Sequence, residues 1–170
     1  LSCPKCGYAA NRERADSIPK DSTPKSSGPP RKMRPVDTPN AKTIEEVTAF
    51  LKVTPDRLVK TLLYFGGGKT IAALIRGDRQ INETKLANAA SVPFVEMLSG
   101  AAVEEMTKAP VGFAGPVGLQ KDVLIVADEE VTQLTNFIVG ANAADKHLMD
   151  VNLSDFRIDK TAIIRSAEAG

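Results

Sequence analysis

The segment KTLLYFGGGKTIAALIR, Lys60–Arg76, decides the fold. Two apolar runs, TLLYF and TIAALI, flank three consecutive glycines and a lysine. The runs contain the β-branched and aromatic residues that are typical of strands, and glycine tolerates the positive φ angles that a tight turn requires. The sequence therefore predicts a β-hairpin, with Lys60 at the start of its first strand.

Helical patterns lie on both sides of this hairpin. TIEEVTAFL opens with a capping box from Thr43 to Glu46, and TPDRLV has Thr54 as an N-cap with Pro55 in the first helical position. NETKLANAA predicts a helix capped by Asn82, and GAAVEEMTKA predicts another. Helices therefore alternate with the strands along the chain.

The C-terminal half continues the alternation. DVLIVAD predicts a buried strand, EVTQLTNFIVGAN a helix that stops near Gly140, and KHLMDVN and KTAIIRS two further strands. Helices interleaved with hairpin-connected strands predict an α/β fold, in which helices surround a mixed, largely antiparallel sheet or barrel.

The first 35 residues have a different composition from the rest. Residues 20–35, KDSTPKSSGPPRKMRP, are rich in Pro, Ser and Lys and contain almost nothing apolar, which predicts an extended linker. We therefore divide the chain into a flank at 1–19, the linker at 20–35, a folded domain at 36–165 and a second flank at 166–170. Because Leu1 is not an initiator methionine, we expect a piece of a longer protein.

Charge is distributed unevenly along the chain. Residues 1–34 have eight Lys/Arg against three Asp/Glu (+5), whereas the remainder has fourteen against eighteen (−4). An acidic body disfavours binding of long duplex through phosphates, so any nucleic acid should be a short end held locally. The apolar runs are far shorter than the roughly 20 residues of a membrane span, and we expect a soluble, cytosolic chain without a membrane partner.

Known catalytic and metal-binding motifs are incomplete or missing in the sequence. No G-x-S-x-G elbow, Walker loop or Rossmann fingerprint occurs. Cys3 and Cys6 form a C-x-x-C pair that is half of a zinc knuckle, but a structural zinc site needs four ligands. With only one distant histidine, His147, to add, we expect no metal site and two metal-free thiols.

Three features remain as candidates for chemistry. Lys60 either packs its stem on the strand with its ammonium in solvent or brings a charge into a site. His147 is either a partly buried core residue or a catalytic one. A glycine loop is either a plain turn or a place where peptide N–H groups converge on an anion or a carbonyl oxygen. The candidate residues of that loop are Gly112, Gly115, Pro116 and Gly118.

Together these features resemble a known family. LVKTLLY with Lys60, the loop GFAGP continuing as VGL, and GANAADKHLMDVN resemble, in that order, the insertion domain of bacterial-type prolyl-tRNA synthetases. That insertion is the editing module, related to the free-standing YbaK-type aminoacyl-tRNA deacylases. CPKCGYAANRERA and RSAEAG resemble the segments that lead out of and back into the synthetase core, so the resemblance runs from end to end.

The resemblance implies a substrate and a role for each candidate residue. Alanine is smaller than proline, so the synthetic site cannot exclude it sterically. The loss of a few methylenes of contact favours proline over alanine by only ~1–3 kcal/mol. Alanine attached in error to the tRNA with the proline anticodon must therefore be hydrolysed at a second site. Lys60 would hold the terminal phosphate or ester end, and His147 would bound the alanine pocket. Amides near Gly115, in a floor formed by residues 112–118, would stabilise the oxyanion by ~3–4 kcal/mol each. Water would attack, assisted by the ribose hydroxyl.

The resemblance also implies partners and leaves alternatives open. The editing step would need no cofactor, whereas the parent synthetase would use ATP and Mg²⁺, act as a homodimer and lie in the cytoplasm. A second C-x-x-C pair in the parent would complete a structural zinc site with Cys3 and Cys6. The chain is alternatively a catalytically silent insertion that stabilises the synthetase or positions tRNA, or a free-standing deacylase of another specificity.

Overall fold

The computed structural model describes residues 28–167. The expectations for Cys3, Cys6 and the flank at 1–19, for most of the linker and for the last three residues lie outside this range. The elements within it are β1 Arg34–Asp37, α1 Ile44–Leu51, β2 Val59–Gly66, β3 Lys69–Arg76, α2 Glu83–Ala90, β4 Glu96–Met97, α3 Gly100–Thr107, β5 Leu124–Asp128, β6 Phe137–Gly140, β7 Lys146–Val151 and β8 Lys160–Ala162.

Two sheets organise the described residues. The smaller is antiparallel with the order β1-β7-β6, and the larger has the order β4-β2-β3-β5-β8. In the larger sheet β4, β2 and β3 are antiparallel neighbours, whereas β5 and β8 join in parallel. The predicted mixed, largely antiparallel α/β fold is confirmed, and in residues 28–167 neither sheet closes into a barrel.

The hairpin that decides the fold is confirmed residue by residue. Gly66 pairs with Lys69, and the register then runs to Val59 opposite Arg76. The two-residue turn is Gly67–Gly68, with φ angles of 56° and 75°. A turn with positive φ at both positions matches the twist of the flanking strands, and glycine meets that requirement without strain.

The predicted helix starts are confirmed in two cases and shortened in one. Thr43 and Glu46 form the capping box of α1, with Glu46 N–H donating to Thr43 Oγ1 over 3.2 Å. Asn82 caps α2 by accepting from the N–H of Lys85 over 3.1 Å. TPDRLV, however, forms only a short 3-10 turn at Pro55–Arg57 before β2 begins.

The helix predicted for EVTQLTNFIVGAN is wrong. The segment forms a 3-10 turn at Val131–Gln133 and then the strand β6. Asn136 takes a left-handed conformation with φ of 52°, which ends any helical run. All of β6 is buried, with Val139 in the core between the sheets and Ile138 against α1. A segment that is buried on both faces and contains β-branched residues favours a strand, even though its spacing of apolar residues also fits a helix.

The first strand lies partly within the predicted linker. β1 begins at Arg34, two residues before the predicted start of the domain, and pairs with β7. Arg34 also donates to Asp150 over 3.1 Å. The N–H of Arg31 donates to Asn136 over 2.7 Å. Residues 31–35 are therefore bound to the domain despite their linker-like composition.

Hydrophobic clusters cover both faces of the larger sheet, and therefore both faces of β2. One cluster fills the space between the two sheets and includes Val59 and Leu63 of β2 and Val139 of β6. A second cluster packs α2 against the other face of the larger sheet. β2 thus has one face toward each layer, and its N-terminal half lies beside β6 through the bridge Leu58–Ile138.

Candidate functional site

A cavity of about 450 Å³ opens between β2, the end of β6, the start of α1 and the glycine loop. This volume lies within the range of small-molecule sites. Its wall is formed by residues 42–44 and 47, 58–63, 97, 98, 100, 103, 111, 112, 114, 138–140 and 147. Lys60, Gly112 and His147, which lie far apart in the sequence, therefore meet at one cavity.

Lys60 is half-buried in the cavity wall. Its Nζ donates to the carbonyl oxygen of Arg79 and has no other hydrogen-bond acceptor within residues 28–167. Arg79 is itself held by Glu130, to which its Nε and Nη2 donate over 3.0 and 3.1 Å. Burial lowers the pKa of Lys60, while Asp78 and Glu45 oppose that shift. An ammonium fixed on a backbone carbonyl retains two N–H donors for a ligand.

His147 is 4% exposed and lies on β7 beside the cavity. Its Nδ1 is 2.7 Å from Thr38 Oγ1, and its ring centroid is 5.6 Å from that of Phe113 at a tilt of 60°. Burial lowers the pKa of His147 to about 4. The ring is therefore neutral near pH 7, fixed at one edge by Thr38, and suited to form a wall rather than to carry charge.

This shift makes stability depend on pH. Between pH 6.5 and about 4 the unfolded chain binds a proton at His147 that the folded chain does not, so acidification should lower the free energy of unfolding. We expect a slope of up to ~1.4 kcal/mol per pH unit in this window. Urea unfolding of the wild type and of His147→Gln at pH 7 and pH 5 measures it. Equal slopes in the two proteins would contradict the assignment to His147.

Gly112 lies where the glycine loop passes the start of α1. Its φ is 102°, and a Cβ there would be 2.7 Å from the carbonyl oxygen of Lys42. Gly112 and Ala114 line the cavity, and neither has a hydrogen-bond acceptor for its N–H within the described range. These two residues, rather than the centre of the loop, therefore combine a place in the cavity wall with an N–H that has no acceptor among the described residues.

Gly115 has a different place from the one predicted. Its N–H donates to Asn142 Oδ1 over 2.8 Å, so it is already bonded and is not a free oxyanion donor. A Cβ at Gly115 would be 1.8 Å from the carbonyl oxygen of Gly140, because the loop crosses β6 in backbone contact. Pro116 is buried and Gly118 exposed, and the structure places both outside the cavity wall.

Asn142 is a structural residue of the site that sequence reasoning missed. Its Nδ2 donates to the carbonyl oxygens of Gly115 and Val117 over 3.1 and 2.9 Å, and its own N–H donates to Phe113 over 2.9 Å. It has a φ of 51°. Asn142 lies two residues after β6, and asparagine tolerates this left-handed conformation, but the sequence alone does not indicate its bonds to the loop.

The cavity wall is cationic and apolar. Lys42 and Lys60 contribute the charges, and among the described residues of the lining there is no Asp or Glu. Such a wall favours a ligand with an anionic or ester end. Within residues 28–167 no group of three or more His, Cys, Asp or Glu is arranged to hold a metal ion, and no helix is long and apolar enough to cross a bilayer.

Comparison with known proteins defines the class. Residues 38–157 match the family model described as the aminoacyl-tRNA editing domain. The chain belongs to this family, and the resemblance found in the sequence is confirmed.

The curated relatives that the chain matches include proline–tRNA ligases. The proline–tRNA ligase of Caldicellulosiruptor bescii is 46% identical over 164 residues, which are 96% of this chain and 28% of that protein. The proline–tRNA ligase of Thermoanaerobacter sp. (strain X514) is 44% identical over 171 residues, 99% of this chain and 30% of that protein. The chain thus spans less than a third of the length of these relatives.

A solved structure supports the fold. That of a putative trans-editing enzyme for prolyl tRNA synthetase superposes with a TM-score of 0.68. The match covers 79% of this chain and 87% of the other at 15% identity. At this identity the likeness shows a shared fold and nothing about the residues of the site.

Proposed function

We propose that this domain hydrolyses the ester of alanyl-tRNA carrying the proline anticodon, and so corrects mischarging by the parent synthetase. The observation that carries the proposal is the single cavity lined by Lys60, Gly112 and His147. Membership of the editing family gives the reaction class, and the proline–tRNA ligase relatives suggest the tRNA.

Each residue has a role in this proposal. Lys60 uses its two remaining N–H donors to hold the terminal phosphate or the ester end of the substrate. His147, neutral and fixed by Thr38, bounds the pocket for the amino acid. The N–H groups of Gly112 and Ala114 replace that of Gly115 as donors to the oxyanion. Donors of this kind, preorganised by the fold, lower the barrier because they need no reorganisation during the reaction.

Water is the proposed nucleophile, assisted by the ribose hydroxyl of the terminal adenosine. Within residues 28–167, the residues that line the cavity include no serine or cysteine. Water adds to the carbonyl carbon and gives up a proton, which forms a tetrahedral oxyanion. The bond to the ribose oxygen then breaks, and that oxygen takes up a proton as free alanine and the uncharged tRNA end are released. The enzyme's contribution is then to position the ester and stabilise the oxyanion, which suits a wall of backbone donors and one lysine.

Cofactors and the wider assembly are also part of the proposal. We propose that hydrolysis needs no cofactor, because every role above belongs to a protein group, to water or to the substrate. ATP, Mg²⁺, a homodimeric assembly and a cytoplasmic location are proposed for the whole synthetase. A zinc site at Cys3 and Cys6 would require a second C-x-x-C pair in that larger protein.

One assay tests the function directly. The domain is incubated with the tRNA that has the proline anticodon, charged either with alanine or with proline. Loss of each ester is followed against a blank without protein. We expect hydrolysis of the alanyl ester and sparing of the prolyl ester. If neither the isolated domain nor the intact synthetase removes the alanyl ester faster than the blank, the alternative of a catalytically silent insertion is favoured.

His147→Ala should loosen the choice of amino acid. Removing a ring that packs on Phe113 and Thr38 enlarges the pocket, so larger aminoacyl esters should gain access. We expect the ratio of kcat/KM for the alanyl and prolyl esters to fall by about tenfold, a loss of ~1.4 kcal/mol in discrimination. A variant that keeps the wild-type ratio and only unfolds more easily would assign His147 to the core instead.

A further inference from the structure

Thr61 in the middle of β2 has a buried hydroxyl without a partner. The residue is 7% exposed. Of all the buried side-chain oxygen and nitrogen atoms in residues 28–167, only the Oγ1 of Thr61 has no hydrogen-bond partner. By contrast, Thr107, which is 6% exposed, donates from Oγ1 to the carbonyl oxygen of Val103 over 2.8 Å. Burial of a threonine in this fold therefore normally comes with a hydrogen bond.

Thr61, which holds this unpartnered hydroxyl, belongs to the apolar part of the cavity wall. Side chains alternate along a strand, so Thr61 shares a face of β2 with Val59 and Leu63. Those two residues pack with Val103 and Val139, and all five line the cavity. Lys60 is the next residue along β2, so its side chain leaves the strand on the opposite face. Both residues nevertheless line the cavity, because the cavity wall follows the consecutive residues 58–63 of this stretch.

A hydroxyl in this position works against stability. A buried polar group without a hydrogen bond costs desolvation free energy that valine, of nearly the same shape, would avoid. Unsatisfied groups of this kind are rare and concentrate where a site needs them. The environment of Thr61 thus suggests a partner that arrives with the ligand.

We propose that the Thr61 hydroxyl accepts a hydrogen bond from the α-ammonium group of the bound aminoacyl ester. The inference rests on the proposed function, because it assumes an aminoacyl ligand in this cavity. The lining offers no carboxylate to an ammonium, which must therefore be bound by neutral acceptors and kept away from the charge of Lys60. Thr61 offers a neutral acceptor, and its side chain lies on the other face of β2 from the charge of Lys60. A rotation about χ1 exchanges hydroxyl and methyl positions and turns the oxygen to the ligand.

Two substitutions at Thr61 and one control test this role. Thr61→Val removes the hydroxyl at constant shape, Thr61→Ser retains it, and Thr107→Val removes a hydroxyl that is already bonded. We expect Thr61→Val to lower kcat/KM for alanyl-tRNA about tenfold or more with an equal or higher Tm. Thr61→Ser should stay within about threefold of the wild type. Thr107→Val should lower Tm and leave hydrolysis by the folded protein unchanged.

A second substrate identifies the group that Thr61 contacts. The same tRNA carrying a propionyl ester lacks the amino group but is otherwise alike. Thr61→Val should hydrolyse this ester within about twofold of the wild-type rate, because the proposed hydrogen bond is then absent in both proteins. An equal loss on the alanyl and propionyl esters would overturn the assignment to the ammonium.

Other results would also overturn the inference. Thr61→Val with unchanged alanyl hydrolysis would mean that the hydroxyl does not meet the ligand. A fall in Tm as large as that of Thr107→Val would mean that it is already satisfied in the free protein. If the wild type hydrolyses neither ester, the proposed function fails, but the contact at Thr61 can still be tested. Calorimetry then measures the binding of 3′-alanylamido-3′-deoxyadenosine, a stable analogue of the aminoacyl end, to the wild type and to Thr61→Val. Binding about tenfold weaker in Thr61→Val supports the contact, and equal or absent binding overturns it.

Discussion

Lys60→Ala is expected to abolish hydrolysis of alanyl-tRNA, with a fall of at least about 100-fold in kcat/KM. The side chain supplies a cation and two N–H donors to the cavity, and alanine supplies neither. The free energy of unfolding should change by less than ~1 kcal/mol, because the lysine is half-buried and its one bond is to the carbonyl of Arg79. Single-turnover hydrolysis and urea unfolding measure the two quantities separately.

Three further variants separate charge from packing. Lys60→Met keeps the length of the stem and should be as inactive as alanine. Lys60→Arg keeps the charge but not the compact ammonium, and should recover only part of the activity. Lys69→Ala removes an exposed lysine from the far end of the same hairpin and should hydrolyse like the wild type. Near-normal hydrolysis by Lys60→Ala would remove this residue from the site and favour a silent insertion.

Local sequence signals predicted the parts of the fold that are determined locally. The hairpin β2–β3 follows from Gly67 and Gly68, and the capping box of α1 from Thr43 and Glu46. Each of these features depends on residues within a few positions of one another. The error at β6 has the opposite origin, since its strand is set by pairing with β7 and by burial between the larger sheet and α1, which the segment itself does not encode.

The same distinction applies to the candidate site. Lys60 and His147 were candidates from the sequence itself and the resemblance implied their roles, but their surroundings depend on contacts between distant segments. Thr38 is 109 residues from His147 in the chain, and Asn142 is 27 residues from Gly115. No periodicity or spacing in the sequence indicates that Asn142 binds the Gly115 amide. The sequence therefore identified the glycines of the loop, but it did not indicate which of them line the cavity and which pack against β6.

Gly115→Ala tests that division and should be strongly destabilising. The added Cβ would lie 1.8 Å from the carbonyl oxygen of Gly140 and 2.7 Å from its carbon, and backbone cannot yield as a flexible side chain does. We expect the free energy of unfolding to fall by ~3 kcal/mol or more. Valine should be worse still, since its branched side chain also crowds the loop.

The matched control for this prediction is Gly118→Ala in the same loop. Gly118 has a φ of 78° but nothing within 4 Å of an added Cβ, so alanine there should cost only ~1 kcal/mol of backbone strain. Hydrolysis should follow the same order, because a displaced Gly115 shifts Ala114 and Gly112 in the cavity wall whereas Gly118 is outside it. If Gly115→Ala retains wild-type stability but loses hydrolysis, Gly115 acts on the substrate directly. The close contact with Gly140 would then not describe the folded protein in solution.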